Sequence, residues 1–274
     1  MSNSIETRNL PEKSTCVVAL SGGMDSTGLL LHLLARDCTV HGISFDYGQK
    51  HVLELERLKS NLDYLGENGF EVSHETVDIS GIGKLFHSAL INSDWEVPEG
   101  FYEQENMKET VVPNRNAIFS SIAYGYALSI ATRTKSDTYL SLGVHSGDHA
   151  IYPDCRPDFY RSIHGSFAVG NWDSELVHLY LPYIDGDKVT ILKDAEVSCA
   201  KLALDFDQIF RNTNTSYAPD EDGRANGKTG SDVERILAFH EIGRVDPVEY
   251  VAGWENALKQ ALLFKEQSTG QSEE

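Results

Sequence analysis

The hexapeptide Ser21-Gly22-Gly23-Met24-Asp25-Ser26 combines residue types and spacing that suit an anion-binding turn. It directly follows residues 15–20, a predicted buried strand, and precedes an apolar stretch that predicts a helix over 26–35. Such a turn points backbone N–H groups at a phosphate, and adjacent glycines allow close approach. The Ser and Asp side chains predict caps for the first helical turn. No Gly-Lys-Ser/Thr closes the turn as in a Walker loop, and the alternative interpretation is an ordinary Ser/Gly turn.

Two further polar segments stand where ligand contacts are expected. The segment Phe45-Asp46-Tyr47-Gly48-Gln49-Lys50-His51 ends a second predicted strand, where Asp46 and His51 are candidate contacts and a capped turn is the alternative. Arg115 and Asn116 open an apolar helix. Because the helix dipole favours anions at this end, Arg115 predicts an anion held jointly by the guanidinium and the helix N–H groups. The alternative is a solvent-facing Arg115 with Asn116 as the N-cap.

A loop with two prolines follows another predicted strand. Its candidate residues are Asp148, Asp154 and Arg156, which could bind a hydrogen-bonding heterocycle or Mg²⁺. We interpret Cys155, in the same loop, as a packed or backbone-positioning residue, because nothing nearby marks a dedicated base. Lys188 precedes a predicted helix and could neutralise phosphate oxygens, although most lysines are simply solvated.

The composition argues against several classes of function. The chain has 274 residues and a formal net charge of −19, which disfavours a large nucleic-acid footprint, because phosphate contacts need clustered Lys and Arg. No apolar run approaches the ~20 residues of a membrane helix, and the first residues show no apolar signal core. The four cysteines are widely spaced without a CxxC pair, which predicts reduced, mostly buried thiols in a cytoplasmic protein.

Strands and helices alternate along the first half of the chain. The predicted strands cover 15–20, 39–45, 70–78 and 138–144, and the predicted helices cover 26–35, 50–65 and 116–132. This alternation predicts an α/β fold, a parallel sheet with helices on both faces, which binds ligands at the carboxyl ends of its strands. The irregular stretch 80–110 is a candidate lid over that site.

The predicted organisation has three parts. We expect a flexible tail over 1–13, a nucleotide-binding α/β domain over 14–181 and a helical C-terminal region over 182–274. The helices of the last part are predicted at 188–204, 232–242 and 245–267, followed by an acidic, disordered-looking tail over 267–274.

The SGG-x-DS turn resembles the pyrophosphate loop of the ATP pyrophosphatase family, whose members split ATP into AMP and pyrophosphate. With FDYGQ-x-H, VPxRN, YPDCRPxF and a Lys-centred DxxK segment in this order, roughly residues 14–240 resemble the 7-cyano-7-deazaguanine synthase family. The resemblance implies an adenine nucleotide alpha hydrolase-like fold of ATP pyrophosphatase type. It also implies ATP and Mg²⁺ dependence, with Asp25 reaching the ion through ATP, and a homodimer.

The resemblance implies a role for each matching residue. Catalytic roles fall on Asp25, Ser26, Arg115 and Lys188. The implied ATP contacts are Leu20, Ser21, Gly22, Gly23, Met24, Asp25, Ser26, Thr27, Phe45 and Gln49. The implied substrate contacts are Asp46, Tyr47, His51, Asn116, Asp148, Tyr152, Asp154 and Arg156.

The reaction that the resemblance implies uses ATP twice. ATP first activates the carboxylate of 7-carboxy-7-deazaguanine as an acyl adenylate, and ammonia then gives the amide. A second ATP activates the amide oxygen, and loss of AMP leaves the nitrile, 7-cyano-7-deazaguanine. Adenylation converts an oxygen of the carboxylate or amide, which is a poor leaving group, into AMP, which is a good one.

One segment departs from the family pattern. The family holds a structural zinc on four cysteines in T-x-S-C-Y and C-G-x-C-x-S-C-x-x-R. Here the frame is kept over 212–235, but the cysteine positions carry Ser216, Asn226, Thr229 and Asp232. Because Ser, Asn and Thr are poor Zn²⁺ ligands, we predict that zinc is absent and that hydrogen bonds or partner contacts hold the segment instead.

Three other functions stay open at the level of sequence. The chain could be a diverged relative that passes the activated acyl group to another amine, such as one on a partner protein. It could be a non-catalytic nucleotide-binding subunit, although the intact SGGMDS, Arg115 and YPDCR segments argue against decay. It could also be a different amide-forming ligase resembling NAD synthetase, against which the FDYGQ and YPDCRPDF segments weigh.

Overall fold

Five parallel strands form one sheet in the order β3-β2-β1-β4-β5. The structure is a computed structural model and describes residues 5–48, 53–91, 98–100, 109–149 and 152–271. The strands are β1 (Thr15–Ala19), β2 (Thr39–Asp46), β3 (Ser73–Asp78), β4 (Thr138–Ser141) and β5 (Val177–Tyr180). The order reverses direction between β1 and β4, and ligands bind at such switch points, beyond the carboxyl ends of the strands.

Helices cover both faces of the sheet, as predicted. They are α1 (Met24–Leu34), α2 (Leu53–Glu67), α3 (Ser80–Gly83), α4 (Arg115–Thr134), α5 (Pro157–Gly170), α6 (Lys188–Leu202), α7 (Phe206–Arg211), α8 (Gly230–Glu241) and α9 (Trp254–Gln271). One apolar core lies under α1, α2 and the helices from α6 to α8. A second core lies under α4 and α5 on the opposite face. No helix in the described ranges is long and apolar enough to cross a membrane.

The predicted C-terminal region packs directly on α1, the helix that follows the SGGMDS turn. A Cβ atom at Gly28 of α1 would come within 2.5 Å of Ile191 Cγ2 on α6, so glycine permits this close approach. The approach matters because it brings Lys188, the first residue of α6, to the start of α1. At the other end of the chain, the Glu6 N–H donates to the Leu179 carbonyl of edge strand β5. The three-part division of the chain stays a prediction.

Most predicted elements are confirmed with small shifts at their ends. The prediction for 245–267 is wrong in its first nine residues, because Pro247 lies in this stretch, Gly253 has a positive φ of 74°, and α9 starts only at Trp254. The acidic tail prediction is wrong for 267–271, which continues α9.

Sequence reasoning missed β5, α5 and the short helices α3 and α7. The strand is short, and α5 begins with Pro157 at a position that favours helix starts, followed by Phe159, Tyr160 and Ile163 at helical spacing. The candidate lid over 80–110 lies largely outside the described residues.

Candidate active site

The turn after β1 is closed by its own polar groups. Gly22 has a φ of 83°, and a Cβ there would lie 2.0 Å from the Glu54 carbonyl oxygen, so glycine alone fits. The Ser21 N–H donates to Ser26 Oγ at 3.2 Å, and the Gly23 N–H donates to Ser21 Oγ at 3.2 Å. The predicted side-chain caps are wrong: α1 begins at Met24, its N-cap Gly23 has no side chain, and the Ser26 hydroxyl closes the turn.

A buried ion pair lies beneath this turn. Lys188 Nζ donates to Asp25 Oδ2 at 2.9 Å and lies 2.9 Å from His145 Nε2. Glu234 Oε2 of α8 lies 3.5 Å from the same ammonium group. The Asp187 carboxylate accepts from the Thr190 N–H at 2.7 Å and caps α6, which fixes where Lys188 leaves the backbone. Side chains from three other parts of the fold therefore surround this one cation at the start of α1.

The environment of Asp25 keeps its carboxyl group ionised. Burial alone would raise the pKa of Asp25, but Lys188 and His145 lower it well below its ordinary value. The second oxygen, Asp25 Oδ1, is buried and has no hydrogen-bond partner among the described residues. One carboxylate oxygen combined with substrate phosphates is how proteins commonly hold Mg²⁺, so Asp25 fits the predicted ion. No group of three or more His, Cys, Asp or Glu within the described ranges could hold a metal by itself.

A cavity of about 250 Å³ opens at the carboxyl ends of β1, β2 and β4. Its walls combine the turn, aromatic side chains and the start of α4. The lining residues are Ala19, Leu20, Ser21, Asp25, Ser26, Phe45, Tyr47, Glu54, Leu55, Arg115, Asn116, Phe119, Ser120, Leu142, Gly143, Val144, Cys155, Tyr160 and Tyr217. The Phe45 and Phe119 rings stack at 4.3 Å between centroids, which gives the cavity an apolar wall suited to a flat heterocycle.

Arg115 supplies the cationic wall of this cavity. It is the first residue of α4, and Asn114, in the left-handed conformation, is the N-cap, so Asn116 as N-cap is ruled out. The groups that act on its charge include the Tyr47, Tyr152 and Tyr217 phenols and the Cys155 thiol. Asn116 Nδ2 donates to the Asp154 carbonyl and to Cys155 Sγ, each at 3.4 Å. All four cysteines are described, are buried and form no disulfide.

The other predicted site residues either do not line this cavity or lie outside the residues that the structure describes. The Asp46 carboxylate accepts from the Gly48 N–H at 3.1 Å, which is the capped-turn alternative. The Tyr152 hydroxyl bonds to Thr110 Oγ1 at 2.6 Å, behind the Arg115 wall. Tyr152, Asp154, Arg156, Met24, Thr27, Gly22 and Gly23 are not among the described lining residues. Gln49, His51 and the side chain of Asp148 fall outside the described part of the structure.

The four positions that replace the family's zinc ligands form hydrogen bonds instead. Asp232 Oδ2 accepts from Ser216 Oγ at 3.0 Å and from Thr229 Oγ1 at 2.6 Å. It also accepts from the Thr229 N–H at 3.2 Å, which completes a capping box for α8. Asn226 stands apart and accepts from the Lys228 N–H. Burial raises the pKa of Asp232, since the hydrogen bonds only partly offset the loss of water.

Polar residues at the site that sequence reasoning missed include Glu54, His145, Tyr217 and Glu234. His145 stands at a strand end, three residues before the candidate Asp148. Glu54 stands four residues before Leu58, on the face of α2 that carries Leu58, Asn61 and Leu65 inward. A carboxylate on the apolar face of a helix was a signal available in the sequence.

A parallel α/β sheet with a glycine turn at its switch point is typical of nucleotide-binding α/β proteins. The chain belongs to the QueC family, since the family model described as "Queuosine biosynthesis protein QueC" matches residues 15–243.

Alignments with similar proteins extend over most of the chain. It is 44% identical over 234 residues to the 7-cyano-7-deazaguanine synthase of Caldicellulosiruptor saccharolyticus, covering 85% of this chain and 94% of that protein. It is 43% identical to the enzyme of the same name from Alteromonas mediterranea, and the match covers 85% of this chain and 97% of that protein. A solved 4-thiouridine synthetase–RNA complex with bound ATP matches with a TM-score of 0.41 at 17% identity, covering 93% of this chain and 53% of that one. So distant a likeness bears on neither substrate nor activity.

Proposed function

We propose that the chain adenylates the carboxylate of 7-carboxy-7-deazaguanine with ATP, then forms the amide with ammonia and finally 7-cyano-7-deazaguanine. The observation that carries the proposal is the Lys188–Asp25 pair, 2.9 Å apart, beneath the glycine turn at the switch point of the sheet. The names of the relatives, 7-cyano-7-deazaguanine synthases at 43–44% identity, support the choice of acid. QueC membership favours this function over the ligase resembling NAD synthetase.

The turn and α1 suit the pyrophosphate part of ATP. The N–H groups at the start of α1 carry the positive end of the helix dipole, and the Lys188 ammonium adds a full charge beside it. Both would stabilise negative charge that develops on pyrophosphate as it leaves. Mg²⁺, when bound through Asp25 Oδ1 and the phosphates, would supply further neutralisation of that charge.

The aromatic cavity suits the deazaguanine ring. Phe45, Tyr47 and Phe119 offer flat apolar surface, and Arg115 offers a cation for the carboxylate. Held there, a carboxylate oxygen attacks the α-phosphorus of ATP, a C–O–P linkage forms, and the bond to pyrophosphate breaks. Ammonia then attacks the carbonyl carbon and AMP departs. In the second round the amide oxygen is adenylated and the nitrogen loses one proton. Loss of AMP and of the second nitrogen proton then leaves the nitrile.

The direct test is an incubation of the protein with ATP, Mg²⁺, 7-carboxy-7-deazaguanine and ammonia, followed by mass spectrometry of AMP and base products. A nitrile product with two AMP per base supports the proposal. AMP release with only adenylate or amide redirects it to the alternative in which another amine, such as one on a partner protein, accepts the acyl group. Tight ATP binding without AMP release from this or related acids contradicts both and leaves the non-catalytic nucleotide-binding subunit.

A further inference from the structure

Glu54 lines the same cavity as Arg115 and Tyr217. It also lies beside the glycine turn over residues 21–26. The Asn214 side chain donates a hydrogen bond to the Glu54 carboxylate. The Asn214 N–H in turn donates to the Gly22 carbonyl at 3.0 Å. The backbone carbonyl of Glu54 itself packs on Gly22. Glu54 thus lies beside the turn where ATP is proposed to bind, next to it through its backbone carbonyl and through Asn214.

Amide formation releases a proton that needs an acceptor. Among the described residues that line the cavity, the carboxylates are Asp25 and Glu54, and none is a histidine. Asp25 is committed to Lys188 and is a weak base, because its pKa lies well below the ordinary value. The Tyr47 phenol is also a poor acceptor, since burial raises its pKa and it stays protonated at neutral pH. Among these groups Glu54 is therefore the candidate proton acceptor, and it shares the cavity with the Arg115 cation.

We propose that Glu54 accepts the proton from the amine that attacks the adenylated carboxylate. The new N–C bond forms, the C–O bond to the phosphate breaks, AMP leaves with the electron pair, and the proton on nitrogen passes to a Glu54 oxygen. This inference rests on the proposed function and adds a catalytic residue that the resemblance did not assign.

The electrostatic surroundings suit a base at neutral pH. Burial raises the pKa of Glu54 to about 7, against the lowering effects of Arg115 and of the Asn214 hydrogen bond. The titratable groups that share the cavity with it are Arg115, Tyr47, Tyr217, Cys155, Tyr160 and Asp25. A base whose pKa lies near the working pH is both available and effective.

The test separates adenylation from amine transfer. Acid-dependent exchange of pyrophosphate into ATP reports adenylation and needs no amine, whereas single-turnover amide formation reports the transfer. We expect Glu54→Gln to keep exchange within about twofold of wild type while amide formation slows by roughly 10²–10⁴-fold. Transfer to hydroxylamine, which is mostly unprotonated at neutral pH, is expected to slow less. Glu56→Gln, on the exposed side of the same helix, is the matched control.

The pH profile is the second readout. At a fixed concentration of free NH₃, wild-type amide formation should rise with an apparent pKa near 7. The Gln variant should lose this rise, and Glu54→Asp should recover part of the rate. Wild-type transfer rates and an unchanged profile in Glu54→Gln would overturn the inference, as would an equal loss of exchange and transfer in a variant with native circular dichroism. No acid-dependent exchange by the wild type would overturn the proposed function first, and this inference with it.

Discussion

Lys188 is a buried cation whose partners all come from other elements of the fold. Its side chain is 7% exposed, and it contacts Asp25 of α1 and His145 after β4. Burying a lysine is unfavourable unless opposite charges compensate, and breaking such a pair leaves a charge stranded in a poorly solvated site. The buried Lys188–Asp25 pair has an unfavourable desolvation free energy, and it places a positive charge beside the glycine turn. We infer that Lys188 has a role in binding or catalysis.

Replacing the ammonium tests that role. We expect Lys188→Met to reduce acid-dependent pyrophosphate exchange by about 10²–10³-fold, because a charge that stabilises the leaving group is lost. It should also lower the free energy of unfolding by about 1–3 kcal/mol, less than for fully buried pairs because Asp25 retains some exposure. Lys193→Met, on the exposed face of the same helix, is the control. Equal exchange rates in both variants would show that the ammonium group is dispensable.

The pKa of Glu54 predicts how stability depends on pH. A carboxyl group with a raised pKa in the folded state binds its proton more tightly there than in the unfolded chain. Its contribution to stability is therefore full below about pH 4.5 and is lost as the pH rises to about 7. We expect Glu54→Gln to gain stability relative to wild type over this range, by about 1–3 kcal/mol at pH 8. Urea unfolding of the ligand-free protein at pH 5.5 and 8 measures it, and a constant difference would contradict the raised pKa.

At the scale of elements, the glycine turn joins three pieces of the fold. Gly22 faces the Glu54 carbonyl on α2, and its own carbonyl accepts from the Asn214 N–H. The left-handed φ at Gly22 and the 2.0 Å approach of a Cβ are separate reasons for glycine there. The turn therefore depends on α2 and on the segment before α8 as much as on its own residues.

A single methyl group tests this dependence. We expect Gly22→Ala to destabilise the protein by more than about 2 kcal/mol and to abolish pyrophosphate exchange, because the turn and α2 must move apart. Gly66→Ala, in α2 with nothing within 4 Å of its Cβ, should instead stabilise the protein slightly. Thermal unfolding of the two variants gives the comparison. A Gly22→Ala variant as stable as Gly66→Ala would refute the close approach.

One carboxylate joins several parts of the segment without zinc cysteines. Asp232 joins Ser216, Thr229 and the start of α8, so its removal leaves buried hydroxyl groups without an acceptor. We expect Asp232→Ala to cost about 2–4 kcal/mol of unfolding free energy. Asp232→Asn, which keeps an acceptor oxygen, should cost less. Chemical denaturation measures both, and a cost for Asp232→Ala below that of the exposed Asp222→Ala would exclude this role.

Local pattern in the sequence was enough to predict four of the five strands of the sheet and the position of the glycine turn. Alternating strands and helices predicted the sheet, and the glycine turn was expected at the end of β1, where it lies. The features that escaped prediction depend on tertiary contact. Nothing near Lys188 in the chain reveals Asp25, 163 residues away, as its partner. The pKa of Glu54 depends on burial and on Arg115 from another helix. Over 245–253 the apolar spacing predicts a helix, whereas the Pro and Gly residues of that stretch prevent one.

At the scale of the whole molecule, three predictions concern what the chain binds. The formal net charge of −19 predicts that nucleic acid is not a partner, and the family resemblance predicts a homodimer. The absence of zinc likewise stays a prediction. It is supported by the donor set at the former ligand positions, which consists of hydroxyls, an amide and one carboxylate already accepting hydrogen bonds.

Metal analysis checks the zinc prediction. We expect the purified protein to carry far less than one zinc per chain by inductively coupled plasma mass spectrometry. A chelator should leave the unfolding temperature unchanged, because no metal contributes to the folding free energy. Stoichiometric zinc, or a lower unfolding temperature after chelation, would show that a metal holds the segment and that the ligands lie elsewhere.

The central claim is that this chain adenylates the carboxylate of a 7-deazaguanine acid. The most direct measurement uses 7-carboxy-7-deazaguanine whose carboxylate carries heavy oxygen, incubated with ATP, Mg²⁺, ammonia and the protein. If the carboxylate attacks the α-phosphorus, one heavy oxygen must appear in AMP, and Lys188→Met should suppress that transfer. AMP without the label, or release of ADP and phosphate instead, would contradict the account.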